Sequence, residues 1–232
     1  MSKQFTVLIL FCAFMVSCQS LSQNLNESIS NSGIERLKLE YQIQKAPSLS
    51  HEFNELLHQN VAVFSVITAR EIPSNLSDEL IDIVRQRINQ TGFFSKLIGD
   101  ETIREFFSGN QEANHLKDNY LDSLVTVSVS DKDIINPLGK ELQFGNLVVL
   151  HMDLWPCPTC KTNDLIRIKV RVVDADSGII IWTGINEQVI NFKEELDLPL
   201  ISKNLTKGLM TAFYHRFKKK WHKKRYVHLA EN

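Results

Sequence analysis

The chain has 232 residues, of which 43% are hydrophobic and 23% charged, and its formal net charge is −1. This length suits one domain with appendages, and the hydrophobic fraction excludes a disordered or collagen-like chain. The charge is uneven, because the segment Tyr214–Tyr226 contains seven basic residues and no acidic residue. The averages therefore exclude a uniformly basic nucleic-acid-binding protein, and they conceal a basic C-terminal end.

The first 17 residues have the features of a bacterial signal peptide. Lys3 supplies a positive charge, and an apolar run follows from Phe5 to Phe14. That run is shorter than the roughly 20 residues that a membrane-spanning helix needs. The next four residues, Met15-Val16-Ser17-Cys18, resemble a lipobox, in which Cys18 would receive diacylglycerol and fatty acyl chains such as palmitate. We predict a lipoprotein signal peptide at residues 1–17, with ordinary secretion or a short buried helix as the alternatives.

The residues after Cys18 indicate where the lipid anchor would lie. Gln19 follows the cysteine, and by resemblance to the enteric sorting rule it implies the outer membrane, because retention in the inner membrane uses Asp at that place. Residues 18–33 are rich in Ser, Asn and Gln, which is typical of a flexible tether that reaches roughly 20 Å. We therefore expect a lipid-anchored domain that faces the periplasm.

The spacing of apolar residues predicts the elements of the first half of the domain. In chain order they are a strand at Arg36–Gln44, a short helix at Ser50–Gln59, a central strand at Val61–Ile67, a helix from Asn75 to about Gln90, a short strand at Phe93–Ile98 and a helix at Asp100–Ser108.

The second half is predicted to be mostly strands. The elements are a helix or loop at Gln111–Asp122, strands at Leu124–Ser130, Leu142–Leu154, Asp164–Asp174 and Ile179–Ile190, and a long C-terminal helix with Pro199 in its first turn. The predicted helices lie mostly in the first half of the chain and the predicted strands mostly in the second half. This order favours a single α/β (α+β) domain over residues 34–226, in which one mixed β-sheet is covered by helices. Residues 227–232 form a tail.

Three segments resemble those of a family of envelope lipoproteins. They are VAVFSV from Val61, QTGFF from Gln90, and RVVDADSGIIIWTG from Arg171. The resemblance is to proteins with a fold like the TolB N-terminal domain, among them curli-secretion and penicillin-binding-protein-activator lipoproteins, and most closely to lipoproteins of Myxococcus- and Leptospira-type bacteria. It implies a non-enzymatic accessory protein. In the third segment, Asp174 and Asp176 would stabilise a turn, Gly178 would take a positive φ, and Trp182 would pack on the sheet.

The motif from Trp155 to Lys161 contains Cys157 and Cys160, and three interpretations of it compete. An exported protein favours a structural disulfide between the two cysteines. A thiol–disulfide oxidoreductase would need a helix N-terminus that activates a thiolate, and the sequence after Cys160 predicts a strand. A metal site could use His151 and Asp153 with the cysteines, although a zinc ribbon would need a second cysteine pair.

The C-terminal basic run allows two interpretations. Phe213, Phe217 and Trp221 recur every four residues and therefore form one stripe of a helix, which would pack on the sheet while the lysines face solvent. Alternatively, an amphipathic surface binds anionic lipid or glycan. The candidate residues for that second interpretation are Lys218, Lys219, Lys220, Trp221, Lys223, Lys224 and Arg225.

No segment carries a GxGxxG, P-loop or HExxH motif, and no Ser/His/Asp set follows from spacing. We predict no cofactor, no nucleic-acid partner and no enzymatic activity, with a thiol–disulfide protein that uses Cys157 and Cys160, or a metal-binding module, left open as the alternatives. The predicted function is that of an accessory protein in envelope or secretion processes. Its predicted partner is an envelope protein or glycan, and it could form an oligomer.

The lipobox prediction has a direct test. Growth with a radiolabelled or alkyne-bearing fatty acid should label the wild-type chain, and Cys18→Ala should remove the label because the acceptor thiol is lost. Cys157→Ala serves as the matched control and should keep the label. Retained labelling of Cys18→Ala, or no labelling of the wild type, contradicts the anchor.

Overall fold

The computed structural model describes residues 38–42, 59–157, 165–191 and 196–230, and the side chains of 59–157, 165–191 and 196–218. Within these residues the chain forms a β-sheet and five helices. The strands are β1 (Lys38–Gln42), β2 (Val61–Ile67), β3 (Asn146–Leu154), β4 (Leu165–Asp174) and β5 (Ile180–Val189). The helices are α1 (Leu76–Thr91), α2 (Asp100–Gly109), α3 (Gln111–Thr126), α4 (Lys132–Leu142) and α5 (Leu198–Ala230).

The sheet is mixed, with the strand order β1-β5-β4-β3-β2. β2 pairs with β3 in parallel, and the other three neighbouring pairs are antiparallel. The predicted fold class, an α+β domain with one mixed sheet covered by helices and a long C-terminal helix, is confirmed.

Helices cover both faces of the sheet because its strands alternate apolar side chains between two cores. In β2, Val61 and Val63 belong to the core beneath α1 and α5, whereas Ala62 and Phe64 belong to the core beneath α2, α3 and α4. Successive side chains of a strand point to opposite faces, so a strand that is apolar throughout must be covered twice. The result is three layers, with the sheet in the middle.

The core beneath α5 contains two of the three largest fully buried side chains. Trp182 of β5 is 1% exposed and Phe213 of α5 is fully buried, and their ring centroids lie 5.2 Å apart in an edge-to-face arrangement. Aromatic pairs of this geometry contribute about 0.5–1.5 kcal/mol beyond the area that they bury. The predicted packing of Trp182 on the sheet is therefore confirmed, and it fixes α5 across β5.

The turn before β5 agrees with the sequence prediction in part. The Asp174 carboxylate accepts a hydrogen bond from the Ser177 backbone N–H at 3.1 Å, and Gly178 has a φ of +71°. Asp176 plays a different role from the predicted one, because its carboxylate accepts hydrogen bonds from Asn136 and Gln59 side chains. It therefore joins the turn to α4 and to the start of β2.

Two predicted strands are wrong. Leu124–Ser130 includes the end of α3, where Leu124 and Val125 extend the buried stripe of that helix, and then a loop in which Val127 and Val129 are exposed. Phe93–Ile98 is a loop with one parallel bridge, between Leu97 and Val61. β-Branched residues in both segments resemble strands locally, but their tertiary neighbours decide the structure.

Helix α4 was missing from the prediction. Its interior contains Pro137, which argues against a helix because proline has no N–H to donate. Asp131 nevertheless caps the helix by accepting a hydrogen bond from the Asp133 N–H at 2.9 Å. The predicted helix at Ser50–Gln59 lies outside the described residues, apart from Gln59.

Val61–Ile67 is confirmed as a strand, but its predicted central position is wrong. Among the strands that the structure describes, β2 lies at one edge of the sheet and has a neighbour on one side alone. Its first four residues are buried because α1 and α2–α4 enclose it from the two faces. A strand whose two faces are both buried is therefore not necessarily a central strand of the sheet.

The close packing at Trp182 predicts that Gly184→Ala destabilises the fold. A Cβ at Gly184 would lie 2.6 Å from Trp182 Cζ2 and 2.9 Å from Leu209 Cδ2, so the core must shift, at a cost of about 1–3 kcal/mol. Urea unfolding monitored by tryptophan fluorescence measures this loss. Gly109→Ala is the control, because nothing lies within 4 Å of its added Cβ, and equal stability of the two variants would contradict the packing argument.

Candidate binding groove

The outer edge of β2 is covered at its beginning by the loop that joins α1 to α2. The Val61 N–H donates to the Lys96 carbonyl at 2.8 Å, and the Ile98 N–H donates to the Val61 carbonyl at 2.9 Å. After Ile98 the chain turns at Gly99 and enters α2. The loop therefore satisfies the backbone groups of Val61 at the edge and then leaves the strand.

The remainder of this edge presents unpaired backbone groups. In a parallel strand, the backbone N–H and C=O of a residue point to the same side, and that side alternates from one residue to the next. The backbone groups of Val63, Ser65 and Ile67 therefore point outward, as those of Val61 do. The backbone groups of these three residues have no hydrogen-bond partner on that side among the described residues. An unpaired edge of this kind is a template for the addition of another strand.

A groove of about 430 Å³ runs along the exposed edge. α1 forms one wall, and α2 with α3 forms the other, so that the groove lies where the two helical layers meet the edge of the sheet. The floor is apolar and includes Val63, Phe64, Ile103, Phe107 and Leu121. Each of these five side chains is less than 9% exposed, and the floor is therefore shaped by the two cores themselves.

The rim of the groove is positively charged. Arg85, Arg104 and Lys117 line it together with one acidic residue, Asp100. Arg85 forms an ion pair with Asp100, and its Nε is buried with no hydrogen-bond partner among the described residues. Burial lowers the pKa of the Arg85 guanidinium, with Asp82 opposing the shift and Arg104 adding to it. Asp100 pairs with Arg85 and Asp118 pairs with Lys117, so that Arg104 is the rim cation without an ion pair among the described residues, and it leaves the groove suited to an acidic ligand.

Lys117 is held at the rim by contacts on both sides. Its Nζ lies 2.8 Å from Asn114 Oδ1, 3.2 Å from Asp118 Oδ1 and 4.8 Å from the centroid of the Phe107 ring. A cation–π contact at a partly exposed site contributes about 0.5–1 kcal/mol. Because Phe107 also belongs to the floor, the contact between Lys117 and Phe107 connects the cationic rim to the apolar floor.

A second polar region lies on the face of β3, β4 and β5 that is opposite to α5. One face of β4 is basic, with Arg167, Lys169 and Arg171 at alternate positions, and two acidic residues partly neutralise it. Asp153 lies 2.5 Å from Lys169 Nζ and 3.5 Å from Arg167 Nη1, and Glu187 lies 2.8 Å from Arg167 Nε. These cross-strand pairs fix the register of the three strands.

Arg171 forms the buried end of this polar region. It is 4% exposed, and its Nη2 donates to Ser128 Oγ at 3.1 Å, while its Nη1 has no partner among the described residues. Ser128 has a positive φ of 57°. Burial is the main cause that raises the pKa of nearby Tyr120 to about 12, so that the Tyr120 hydroxyl, which lies 2.8 Å from Ser130 Oγ, stays protonated.

His151 and Asp153 share one face of β3, as the sequence predicts, but the structure holds them in other contacts. His151 Nε2 lies 3.0 Å from the Thr68 hydroxyl, and Asp153 pairs with Lys169. The described residues contain no group of three His, Cys, Asp or Glu side chains placed to hold a metal ion. The metal-site interpretation therefore gains no support from these two residues.

Cys157 is 8% exposed and follows the buried Trp155. Cys160 lies outside the described residues, so that a disulfide between Cys157 and Cys160 stays a prediction. Cys18 also lies outside them. A buried cysteine next to a core tryptophan differs from the exposed thiolate at a helix N-terminus that redox catalysis requires.

The C-terminal basic run lies on the last turns of α5. Phe213 and Phe217 are buried with their ring centroids 4.5 Å apart, so the first part of the predicted stripe packs on the sheet. Lys218 is exposed, and its Nζ lies 5.2 Å from the centroid of the Tyr214 ring. The other proposed surface residues fall on helical backbone whose side chains lie outside the described set: Lys219, Lys220, Trp221, Lys223, Lys224 and Arg225.

The comparisons with known proteins define no family. No protein-family model and no curated protein sequence matches the chain. Among solved structures, the lipoprotein GNA1162 from Neisseria meningitidis is 12% identical with a TM-score of 0.43, and the match covers 69% of this chain and 96% of that protein.

Two further solved structures are similar to the chain at the same level. The PelC dodecamer from Paraburkholderia phytofirmans is 9% identical, with a TM-score of 0.41 and coverages of 75% and 95%. The LpoB C-terminal domain from Salmonella enterica is 12% identical, with a TM-score of 0.40 and coverages of 58% and 84%. Similarity this low does not assign a function. Separately, none of the described helices is long and apolar enough to span a membrane.

The buried His151 predicts a pH dependence of stability. Burial lowers its pKa to about 4, an effect that Asp153 opposes and that Lys169 and Arg171 increase. The unfolded chain, with a histidine pKa of about 6.5, binds the proton more readily than the folded chain. Stability should therefore fall as the pH falls from about 6.5 to about 4, by about 3 kcal/mol from this residue.

The measurement compares urea unfolding of the wild type and His151→Gln at several pH values. The wild type should lose stability more steeply on acidification, because glutamine does not titrate. His115→Gln, a change on the exposed side of α3, should retain the steep dependence of the wild type. Parallel curves for the wild type and His151→Gln would contradict the assignment.

Proposed function

We propose that this chain is a lipid-anchored envelope protein that binds a partner protein and does not catalyse a reaction. The predicted lipobox at Cys18 and the polar tether after it support the anchor and the location at the periplasmic side of the outer membrane. The groove beside β2 supports the binding role, and it is the observation on which the proposal depends.

The groove suits a protein partner for three reasons. It offers apolar area in Phe64, Phe107 and Leu121, hydrogen-bonding groups on the backbone of an edge strand, and a rim of cations that would favour one charge type. Protein interfaces combine an apolar centre with a polar rim in the same way. The polar groups that we describe elsewhere, such as Arg167, Asp153 and Glu187, pair with one another and favour a structural role.

The redox alternative has weaker support. Cys157 is largely buried, and β4 begins at Leu165, so a strand soon follows the motif. A structural disulfide with Cys160 is the role that we propose for Cys157. It would stiffen the connection between β3 and β4, and the short loop would contribute modestly because loop-closure entropy is small for short loops.

Photo-crosslinking in cells tests the binding surface. Ser108 lines the groove and is exposed, and its replacement by p-benzoylphenylalanine in the full chain should give a discrete crosslinked adduct with an envelope protein. Leu200, which is 50% exposed at the start of α5, is the control position and should give none. Equal crosslinking at both positions, or none at Ser108, contradicts the proposed surface.

A further inference from the structure

The groove beside β2 joins two features. Its floor is the unpaired edge of a strand, and its rim carries more cations than anions. The first feature suits an extended backbone, and the second suits acidic side chains. We infer that the groove binds an extended, acidic segment of the partner protein as an additional strand on β2. This inference rests on the proposed function, because it states how the partner is held.

The backbone argument begins with the loop Ser95–Ile98. This loop occupies the beginning of the edge with two hydrogen bonds to Val61, which demonstrates that an extended segment fits beside β2. The next outward-facing residues, Val63, Ser65 and Ile67, continue the same row of N–H and C=O groups. An added strand can therefore begin where the loop ends, and its backbone would satisfy those groups.

The two walls provide different environments for alternate side chains of the added strand. On one side of β2, Ile81 and Arg85 of α1 line the groove, and on the other side Ile103, Phe107 and Leu121 provide apolar surface. Side chains of an added strand point alternately toward these walls. An acidic residue can reach Arg85 or Arg104, while its neighbours lie against the apolar wall.

The electrostatic argument concerns Arg104 in particular. Arg85 already pairs with Asp100, and Lys117 pairs with Asp118, whereas Arg104 is exposed and forms no ion pair among the described residues. A carboxylate on the added strand would accept a charge-assisted hydrogen bond from the Arg104 guanidinium, and Arg85 and Lys117 would add attraction at longer range.

A peptide-binding experiment with the mature full chain tests the inference. The probe is a fluorescent eight-residue peptide in which Val alternates with Glu, and binding is followed by fluorescence polarisation. The matched probe replaces Glu by Lys, and a third probe is N-methylated on alternate residues so that one edge cannot donate hydrogen bonds. We expect the acidic probe to bind, the lysine probe not to bind, and N-methylation to weaken binding at least about tenfold.

Two variants of the chain separate the backbone contribution from the charge contribution. Ser65→Pro removes an outward N–H while keeping the pairing of β2 with β3, because proline is tolerated on the free side of an edge strand, and Ser65→Ala is its control. Arg104→Glu reverses an exposed rim charge. Ser65→Pro and Arg104→Glu should each weaken binding of the acidic probe at least about tenfold. A thermal unfolding curve that matches the wild type should establish that each variant folds.

The outcomes distinguish this inference from the proposed function. Strand addition is overturned if the acidic probe does not bind. It is also overturned if the folded variants Ser65→Pro and Arg104→Glu bind the acidic probe with the affinity of the wild type. If the Ser108 crosslink persists in that case, the groove still binds a partner, but in another way. A variant without residues 19–33 that binds the acidic probe much more tightly would show that the chain's own tether occupies the groove, and this result also overturns the inference.

Discussion

The parallel pairing of β2 with β3 determines most of the architecture. Parallel neighbours cannot be joined by a tight turn and require a long crossover connection. Here the crossover consists of four helices, and they cover both faces of the sheet instead of one. The chain therefore has to pass around the outer edge of β2, and it does so in the loop Ser95–Ile98. The loop covers the edge of β2 at that point, and the uncovered remainder of the edge forms the floor of the groove.

The two polar regions of the domain differ in the way that their charges are balanced. On the face of β4 that is opposite to α5, the cations Arg167 and Lys169 pair with Asp153 and Glu187, so that these charges neutralise one another within the sheet. At the groove, Arg85 pairs with Asp100 and Lys117 pairs with Asp118, whereas Arg104 forms no ion pair among the described residues. A surplus of one charge beside an unpaired strand edge is the reason that the groove, and not the charged sheet face, is the candidate for binding.

The sequence predicted those parts of the fold that depend on local periodicity. Helices α1 and α2, the strands β1 to β5 and the packing face of α5 all follow from the spacing of apolar residues or from turn chemistry such as Asp174 with Gly178. Errors arose where tertiary context decided the result, as in Val127, whose β-branched side chain ends in an exposed loop. The groove could not be predicted, because VAVFSVI is apolar except for Ser65 and such a run is typical of a central strand. Knowledge of the strand order was needed to place it at an edge.

The two edges of the sheet have a mechanical relationship that follows from the strand order. β1 and β2 lie at opposite ends of β1-β5-β4-β3-β2, about 19 Å apart at the usual strand spacing. A pull between the N-terminal segment and a partner on β2 would therefore load every strand pair in series. β1 is the shortest strand, with five residues, and its pairing with β5 would yield first. Release of β1 would remove one strand pairing and leave the other four strands paired with one another.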